Sequence, residues 1–372
     1  MKAVWKVAKI LLVNVVLLVA FFALLEGGAS LLFIANQIRV TPSAEASYSR
    51  YDETLGWVSR PNVAFPDMYG PGVYLRTNSQ GFRNDRDFAR AVPAGKTRVI
   101  CSGDSFTLGF GVNNDQAWCQ RIAALDPQLE TVNLGQGGYG LDQAYLWYLR
   151  SGAELDHQVH LLAFITDDFI RMQSDQFLGY GKPVLGLRND SVVVTNRPVP
   201  KTWWFTRWRG SHAHAIGNLN IVNLARRAFA KPPESEAAVA ARTQATQKIV
   251  ARVFADLDRT NKQKNSRLVL VYLPGPGDYR MNDTTSTWRA FVQNESSRQG
   301  IAYVDMVAEL KRLKPDSAVK MFAPNLHYSV LGNELVASTL LRELRALLVS
   351  PTPDGSTEPR TLNTQAALRA GR

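Results

Sequence analysis

Residues 97–112, TRVICSGDSFTLGFGV, constrain the fold of this chain of 372 residues more than any other stretch. The β-branched and aliphatic residues up to Cys101 predict a buried strand, and the small residues that follow predict a tight turn. Ser105 would then lie at the carboxyl end of a strand, where open α/β sheets bind their ligands. There it can be a nucleophile, if a base lies within hydrogen-bond reach, or it can simply cap the following helix.

From residue 97 onward, strand and helix patterns alternate along the chain. Near-continuous apolar strands separated by helices predict a parallel sheet covered on both faces. We therefore predict an α/β fold, a three-layer α/β/α sandwich around a central, mostly parallel five-stranded sheet. The predicted strands are residues 98–101, 130–133, 159–165, 267–273 and 302–305, and the predicted helices include 117–124, 142–150, 237–259, 286–298 and 335–348.

A long insertion, residues 170–236, interrupts this alternation. Residues 181–195 predict a hairpin about a turn at Asn189-Asp190, and such a hairpin could rim the site. Residues 201–210, KTWWFTRWRG, interleave tryptophans with arginines. These tryptophans, Trp203, Trp204 and Trp208, either stack on sugar rings, lie at a membrane interface, or form an aromatic loop over the core.

The apolar run over residues 10–35 is long enough to cross a bilayer as a tilted helix. Because Lys2, Lys6 and Lys9 precede it, the positive-inside rule places the N terminus in the cytoplasm and the rest of the chain outside. The alternative is a cleaved signal peptide, but apolar sequence resumes at Leu31 after the possible cleavage site. We predict an anchor over 1–35, a linker and preamble over 36–95, a domain over 96–348 and a disordered tail over 349–372.

Charge and cysteine content narrow the classes of partner. The formal charge is +11 for the whole chain and +9 when Lys2, Lys6, Lys9 and Glu26 of the anchor region are left out of the count. A basic exported domain would bind anionic lipid headgroups or acidic glycans. No nucleic-acid-binding motif is present, so we expect no nucleic-acid partner. The two cysteines, Cys101 and Cys119, are predicted to be buried apolar groups rather than a bridge, and no spacing of Cys and His predicts a metal site.

Three blocks together resemble the SGNH (GDSL) hydrolase family: Gly103-Asp104-Ser105, a Gly-rich turn over residues 133–140, and His327 followed by Gly332. The resemblance covers about residues 51–347. Runs at 55–62 and 76–83 are similar to those of membrane-anchored SGNH-like proteins linked to bacterial surface polysaccharide. The resemblance implies a flavodoxin-like fold in the periplasm, held to the inner membrane by a single-pass anchor.

In this family a serine, a glycine, an asparagine and a histidine form the site. The resemblance implies that Ser105 is the nucleophile, that His327 is the base, and that the amides of Ser105 and Gly138 form the oxyanion hole. The other histidines, His157, His160, His212 and His214, are predicted to be structural or exposed.

Two positions depart from the family pattern. Asp167 stands where the family has asparagine, and an ionised carboxylate can only accept hydrogen bonds. It would assist only if protonated, a state that burial beside Asp168 would favour. No carboxylate precedes His327 at the usual spacing, which leaves Asn325 to accept from its ring nitrogen.

These residues lead to two hypotheses. The first is a cofactor-independent serine esterase or O-acyltransferase acting on acyl esters, above all O-acetyl esters, of an exported or surface glycan, alongside polysaccharide-assembly proteins. The second, favoured by Asp167 and Asn325, is a catalytically impaired protein of the same fold that binds glycan or serves as an assembly subunit. A dinucleotide site at Gly135, Gly137 and Gly140 is disfavoured, because the motif follows the second strand rather than the first.

Overall fold

The computed structural model describes residues 2–40, 48–201, 234–279 and 286–349. It begins with one long helix, α1 (Lys2–Val40). The segment Trp5–Leu32 has a mean hydropathy of 2.7 and is long and apolar enough to cross a membrane. The helix runs past residue 35, where we expected the linker, because neither glycine nor proline follows Gly28 until Pro42.

Short strands in two antiparallel pairs form the preamble, residues 48–95. They are β1 (Ser49–Asp52) with β2 (Gly56–Ser59), and β3 (Ala64–Phe65) with β4 (Leu75–Arg76).

The central sheet has five strands, and all four of its pairings are parallel. The strands are β5 (Thr97–Ser102), β6 (Leu129–Asn133), β7 (Val159–Phe164), β12 (Arg267–Tyr272) and β13 (Ala302–Asp305). Their spatial order, β13-β12-β7-β5-β6, reverses its direction of winding between β5 and β7. The predicted flavodoxin-like sheet is confirmed, and its topological switch point lies at the carboxyl ends of β5 and β7.

Helices cover both faces of the sheet, because the side chains of each strand alternate between the two faces. Val99 and Cys101 pack in one apolar cluster, and Ile100 between them packs in the other. The first face carries α3 (Trp118–Leu125) and α11 (Val330–Val349), and the second carries α4 (Leu141–Trp147), α6 (Glu236–Gln263) and α8 (Ser286–Gln299). The shorter helices are α2 (Ser105–Leu108), α5 (Thr166–Arg171), α7 (Pro276–Tyr279), α9 (Met306–Lys311) and α10 (Pro315–Lys320).

The insertion contains two small hairpins. They pair β8 (Gln176–Phe177) with β9 (Tyr180–Gly181), and β10 (Leu185–Arg188) with β11 (Ser191–Val194). The second is the predicted hairpin, and Asn189 and Asp190 at its tip have φ of 48° and 65°, as a two-residue type I′ turn requires. It packs on α6, where Arg252 Nε donates to Asp190 Oδ1 at 2.7 Å.

Some predicted features lie outside the described residues. They are the tryptophans Trp203, Trp204 and Trp208 and the tail from residue 350 onward.

Cys101 and Cys119 are fully buried, as predicted, but the prediction that they form no bridge is wrong. Cys101 ends its strand on the face that α3 covers, and Cys119 lies in the first turn of α3. Their Cα atoms are 6.3 Å apart, and the two sulfur atoms form a disulfide. The bridge closes the loop that contains Ser105.

We expect the protein, unfolded in guanidinium without reductant, to give no reaction with Ellman's reagent, and to give two thiols per chain after reduction. Because the bridge spans 18 residues, replacing both cysteines with alanine should lower the free energy of unfolding. The expected loss is about 2–4 kcal/mol. Two reactive thiols in the unreduced protein would show that the bridge is absent, and an unchanged unfolding free energy in the double variant would show that it does not stabilise the fold.

Candidate active site

Ser105 is the first residue of α2, directly after the turn that ends β5. Asp104 caps this helix, because its Oδ1 accepts from the Phe106 amide at 2.8 Å, so the hydroxyl of Ser105 is free of that task. The turn requires glycine at position 103, since φ is +158° there and an added Cβ would lie 2.3 Å from the Ala163 carbonyl oxygen.

The structure brings His327 to Ser105 across 222 residues of sequence, with His327 Nε2 2.9 Å from Ser105 Oγ. His327 lies in the loop between α10 and α11. Its Nδ1 is 3.1 Å from the main-chain oxygen of Asn325. Because a carbonyl oxygen can only accept, Nδ1 carries the proton and Nε2 can accept from the serine.

Asn325 therefore acts differently from our expectation. Its main-chain carbonyl, not its side chain, is the partner of the ring nitrogen. The side-chain Oδ1 accepts instead from the His327 amide at 3.1 Å, which is an Asx-type turn that shapes the loop.

Two aromatic rings hold the imidazole between them. The ring centroids of Phe106 and Phe110 lie 4.8 and 4.6 Å from that of His327. Burial among these rings lowers the pKa of His327, while the Asp104 charge and the hydrogen bond from Nδ1 act in the opposite direction. The imidazole is thus neutral at neutral pH and available as a base. Neither phenylalanine was predicted from the sequence, because Phe110 lies beyond the end of α2 and its approach to His327 depends on the fold of the loop.

Asp167 is exposed on the first turn of α5, so the expectation that its side chain is buried is wrong. Asp168 is the buried carboxylate of the pair. Burial raises the pKa of Asp168 well above its usual range, the nearby Asp104 charge adds to the rise, and Arg171 opposes it.

Arg171, which sequence analysis also missed, joins three loops at the edge of the sheet. Its Nη1 donates to Asp104 Oδ2 at 3.1 Å, to Asp168 Oδ1 at 2.7 Å and to the Tyr139 carbonyl at 2.8 Å. The three acceptors follow β5, β7 and β6 respectively. One largely buried guanidinium therefore holds the Gly-rich turn and the serine loop together.

The Gly-rich turn lies directly against the serine loop. The Gln136 amide donates to the Gly103 carbonyl at 3.2 Å, and Gly135 abuts the backbone of α2 so closely that an added Cβ would lie 2.1 Å from the Leu108 nitrogen. Gly138 has φ of +74°. Within the described residues, no group accepts a hydrogen bond from the amide of Ser105 or of Gly138. The two predicted oxyanion donors, the amides of Ser105 and Gly138, are thus free to donate to a bound substrate.

The preamble supports the other end of the serine loop. Arg83, 1% exposed, donates to the carbonyl oxygens of Leu108, Gly109 and Val112. A charged side chain so deeply buried is stable only if its donors are satisfied, and here the backbone after α2 satisfies them. The run over residues 76–83 thus supports the serine loop through Arg83.

A second serine and histidine meet elsewhere in the domain. Ser102 Oγ lies 2.6 Å from His160 Nε2, and the Tyr148 ring stacks on this imidazole at 3.6 Å. Both members of the pair are fully buried, so substrate cannot reach them. His157 is also buried and bonds to Tyr148, so these histidines are structural, whereas His212 and His214 lie outside the described residues.

Across the described parts of the chain, no three side chains of His, Cys, Asp or Glu come together as a metal site would require. The groups that converge at the edge of the sheet are instead a hydroxyl, an imidazole and free amides. This set suits attack on a carbonyl carbon.

No protein-family model matches the sequence, and no curated protein matches it. Among solved structures, it is similar to a lipolytic protein of the G-D-S-L family from Veillonella parvula, with 13% identity, 66% of this chain and 97% of that chain covered, and a TM-score of 0.40. It is also similar to a G-D-S-L lipolytic protein from Desulfitobacterium hafniense, with 13% identity, 66% of this chain and 99% of that chain covered, and a TM-score of 0.38. A third similar structure is that of an acetyl-xylooligosaccharide esterase from a Geobacillus, with 13% identity, 68% of this chain and 96% of that chain covered, and a TM-score of 0.39. Since all three TM-scores are below 0.5, the case for a function depends on the site itself.

The aromatic contacts of His327 predict a measurable titration. By NMR of the imidazole resonances, with the signal assigned from its loss in His327→Gln, the pKa of His327 should lie below its usual value of about 6.5. In Phe110→Ala, water reaches the ring and the pKa should rise toward that value. A His327 pKa at or above 6.5 in the unaltered protein, or one that does not move in Phe110→Ala, would contradict this account.

Proposed function

We propose that this protein is a membrane-anchored serine esterase of the SGNH type. One observation carries the proposal: the hydroxyl of Ser105 lies 2.9 Å from the imidazole of His327 at the switch point of a doubly wound sheet. The imidazole is neutral and has its proton on the far nitrogen, as a general base requires.

In this mechanism Ser105 Oγ attacks the ester carbonyl carbon while its proton passes to His327 Nε2. The carbonyl oxygen becomes an oxyanion, which the amides of Ser105 and Gly138 stabilise. When the tetrahedral intermediate collapses, the carbon–oxygen bond of the alcohol breaks and Nε2 returns the proton to the leaving oxygen. Water then attacks the acyl-serine by the same two proton transfers and releases the acid; an acceptor hydroxyl in place of water would give acyl transfer.

A short acyl group, such as acetyl, fits the crowding beside Gly138. The Phe177 ring, on the hairpin β8–β9, lies so close that a Cβ added to Gly138 would meet its edge at 2.6 Å. The buried ion pair between Lys182 and Asp142 fixes this hairpin against α4. A carbonyl held by the Gly138 amide would therefore carry its acyl substituent next to an aromatic wall.

The location we propose is the outer side of a bacterial inner membrane. Three features support this: the apolar helix α1, the lysines Lys2, Lys6 and Lys9 near its N terminus, and the disulfide, because disulfides persist in oxidising compartments. An acylated carbohydrate, exported or at the cell surface, is the substrate we propose, and polysaccharide-assembly proteins are the partners. The family resemblance of the motifs and the positive charge support these choices.

A second candidate is an inactive glycan-binding or assembly subunit with the same fold. Two observations favour it: Asp167 offers no hydrogen-bond donor at the family's asparagine position, and His327 has a neutral carbonyl where a triad has a carboxylate. Losing one oxyanion donor typically costs about 10²–10³ in turnover, so a weakened enzyme and a binding protein predict different, measurable rates.

The full-length protein in detergent should hydrolyse p-nitrophenyl acetate, and Ser105→Ala should lower the rate by about 10³-fold or more, because it removes the nucleophile. The control is Ser338→Ala, which alters an exposed serine on α11 and should leave the rate unchanged. Equal rates for the unaltered protein and Ser105→Ala would eliminate the esterase and favour the binding protein.

Replacing the aromatic wall should broaden the acyl range. For Phe177→Ala, we expect kcat/KM for p-nitrophenyl octanoate relative to acetate to rise about tenfold, since removing the ring frees space for several methylene groups. The matched control is Leu178→Ala, which alters the exposed tip of the same hairpin. If the ratio of kcat/KM for acetate to kcat/KM for octanoate is identical in Phe177→Ala and the unaltered protein, the Phe177 ring does not limit the length of the acyl group.

A further inference from the structure

Trp57, on strand β2 of the preamble, makes two hydrogen bonds with the Gly-rich turn: its main-chain oxygen accepts from the Tyr139 hydroxyl at 2.6 Å, and its side chain donates the other. Its indole Nε1 donates to the Gly137 carbonyl at 2.9 Å. The ring itself is 5% exposed and packs between Tyr139 and Phe177, with ring centroids at 5.6 and 6.5 Å. The indole thus presents one fixed donor to the turn.

The Gly137 carbonyl, which accepts this hydrogen bond, shares a peptide group with the Gly138 amide, one of the two proposed oxyanion donors. The Gly137 carbonyl and the Gly138 amide form one planar trans peptide, so the N–H points opposite to the C=O. The indole lies on the carbonyl side. The Gly138 N–H is therefore directed away from the Trp57 indole, and the turn is bonded to the serine loop through Gly103.

This peptide group needs such a constraint because of its turn. The Tyr139 amide donates to the Gln136 carbonyl at 3.4 Å, which closes a β-turn with Gly137 and Gly138 at its centre. Gly138 has φ of +74°, as the third residue of a type II turn does. Types I and II differ by a flip of the central peptide, and two glycines allow either form at little steric cost.

We infer that Trp57 is a positioning residue for the oxyanion hole: its indole N–H holds the Gly137–Gly138 peptide in the orientation that directs the Gly138 amide at the reacting carbonyl oxygen. This inference rests on the proposed esterase function. It assigns a catalytic consequence to the preamble, a segment outside the strands and loops that carry Ser105 and His327.

The test removes the indole N–H of Trp57 and keeps an aromatic ring at that position. The full-length protein would carry Trp57→Phe or, as a closer match in shape, benzothienylalanine at position 57, which has sulfur in place of the N–H. We expect kcat for p-nitrophenyl acetate to fall about 10- to 100-fold with KM within about twofold, since the oxyanion forms only in the transition state. Inactivation by diethyl p-nitrophenyl phosphate, whose phosphoryl oxygen occupies the same hole, should slow in parallel.

The control is Ser59→Ala, on the same strand. It removes the 2.8 Å hydrogen bond from Ser59 Oγ to Gln136 Oε1, which joins the same strand and turn but leaves the central peptide alone. Its kcat should stay within about twofold of the unaltered protein. The inference is overturned if benzothienylalanine leaves kcat unchanged, or if Ser59→Ala loses as much. If the unaltered protein has no activity that depends on Ser105, the proposed function fails, and this inference fails with it.

Discussion

The contacts of Arg171 hold the site together. Its guanidinium binds Asp104, Asp168 and the Tyr139 carbonyl, so one buried cation joins the loops that follow β5, β7 and β6. Arg171 pairs with both buried acids, and removing one member of a buried ion pair costs about 3–5 kcal/mol. The spacing of the serine loop from the Gly-rich turn therefore depends on this charge.

The preamble completes the site from outside the sheet. Arg83 binds the backbone carbonyls after α2, and Trp57 binds the central peptide of the Gly-rich turn. Neither interaction involves the side chain of a reacting residue. Loops at the carboxyl ends of parallel strands have few backbone partners of their own, and here side chains from residues 48–95 supply them.

The sheet could be predicted from the sequence because buried parallel strands are near-continuous apolar runs, and the meeting of Ser105 with His327 because their motifs were recognisable. The remaining details depend on geometry that residue types do not encode. Burial of Cys101 and Cys119 could be predicted, but not that their side chains face each other. The partner of His327 is a main-chain carbonyl, which any residue at position 325 supplies. The exposure of Asp167 depends on how α5 is turned about its axis.

A base without a carboxylate partner needs another source of orientation and charge. Phe106 and Phe110 hold the imidazole plane, and the Asn325 carbonyl fixes the tautomer, so orientation does not require an acid. Charge is a separate matter, because in the proposed mechanism an imidazolium would form in the transition state, and a neutral carbonyl would stabilise it only weakly. The Asp104 carboxylate raises the pKa of His327 through space, and Arg171 partly offsets it. In the proposed mechanism, the Asp104 charge would therefore supply part of the stabilisation that the aspartate gives in a catalytic triad.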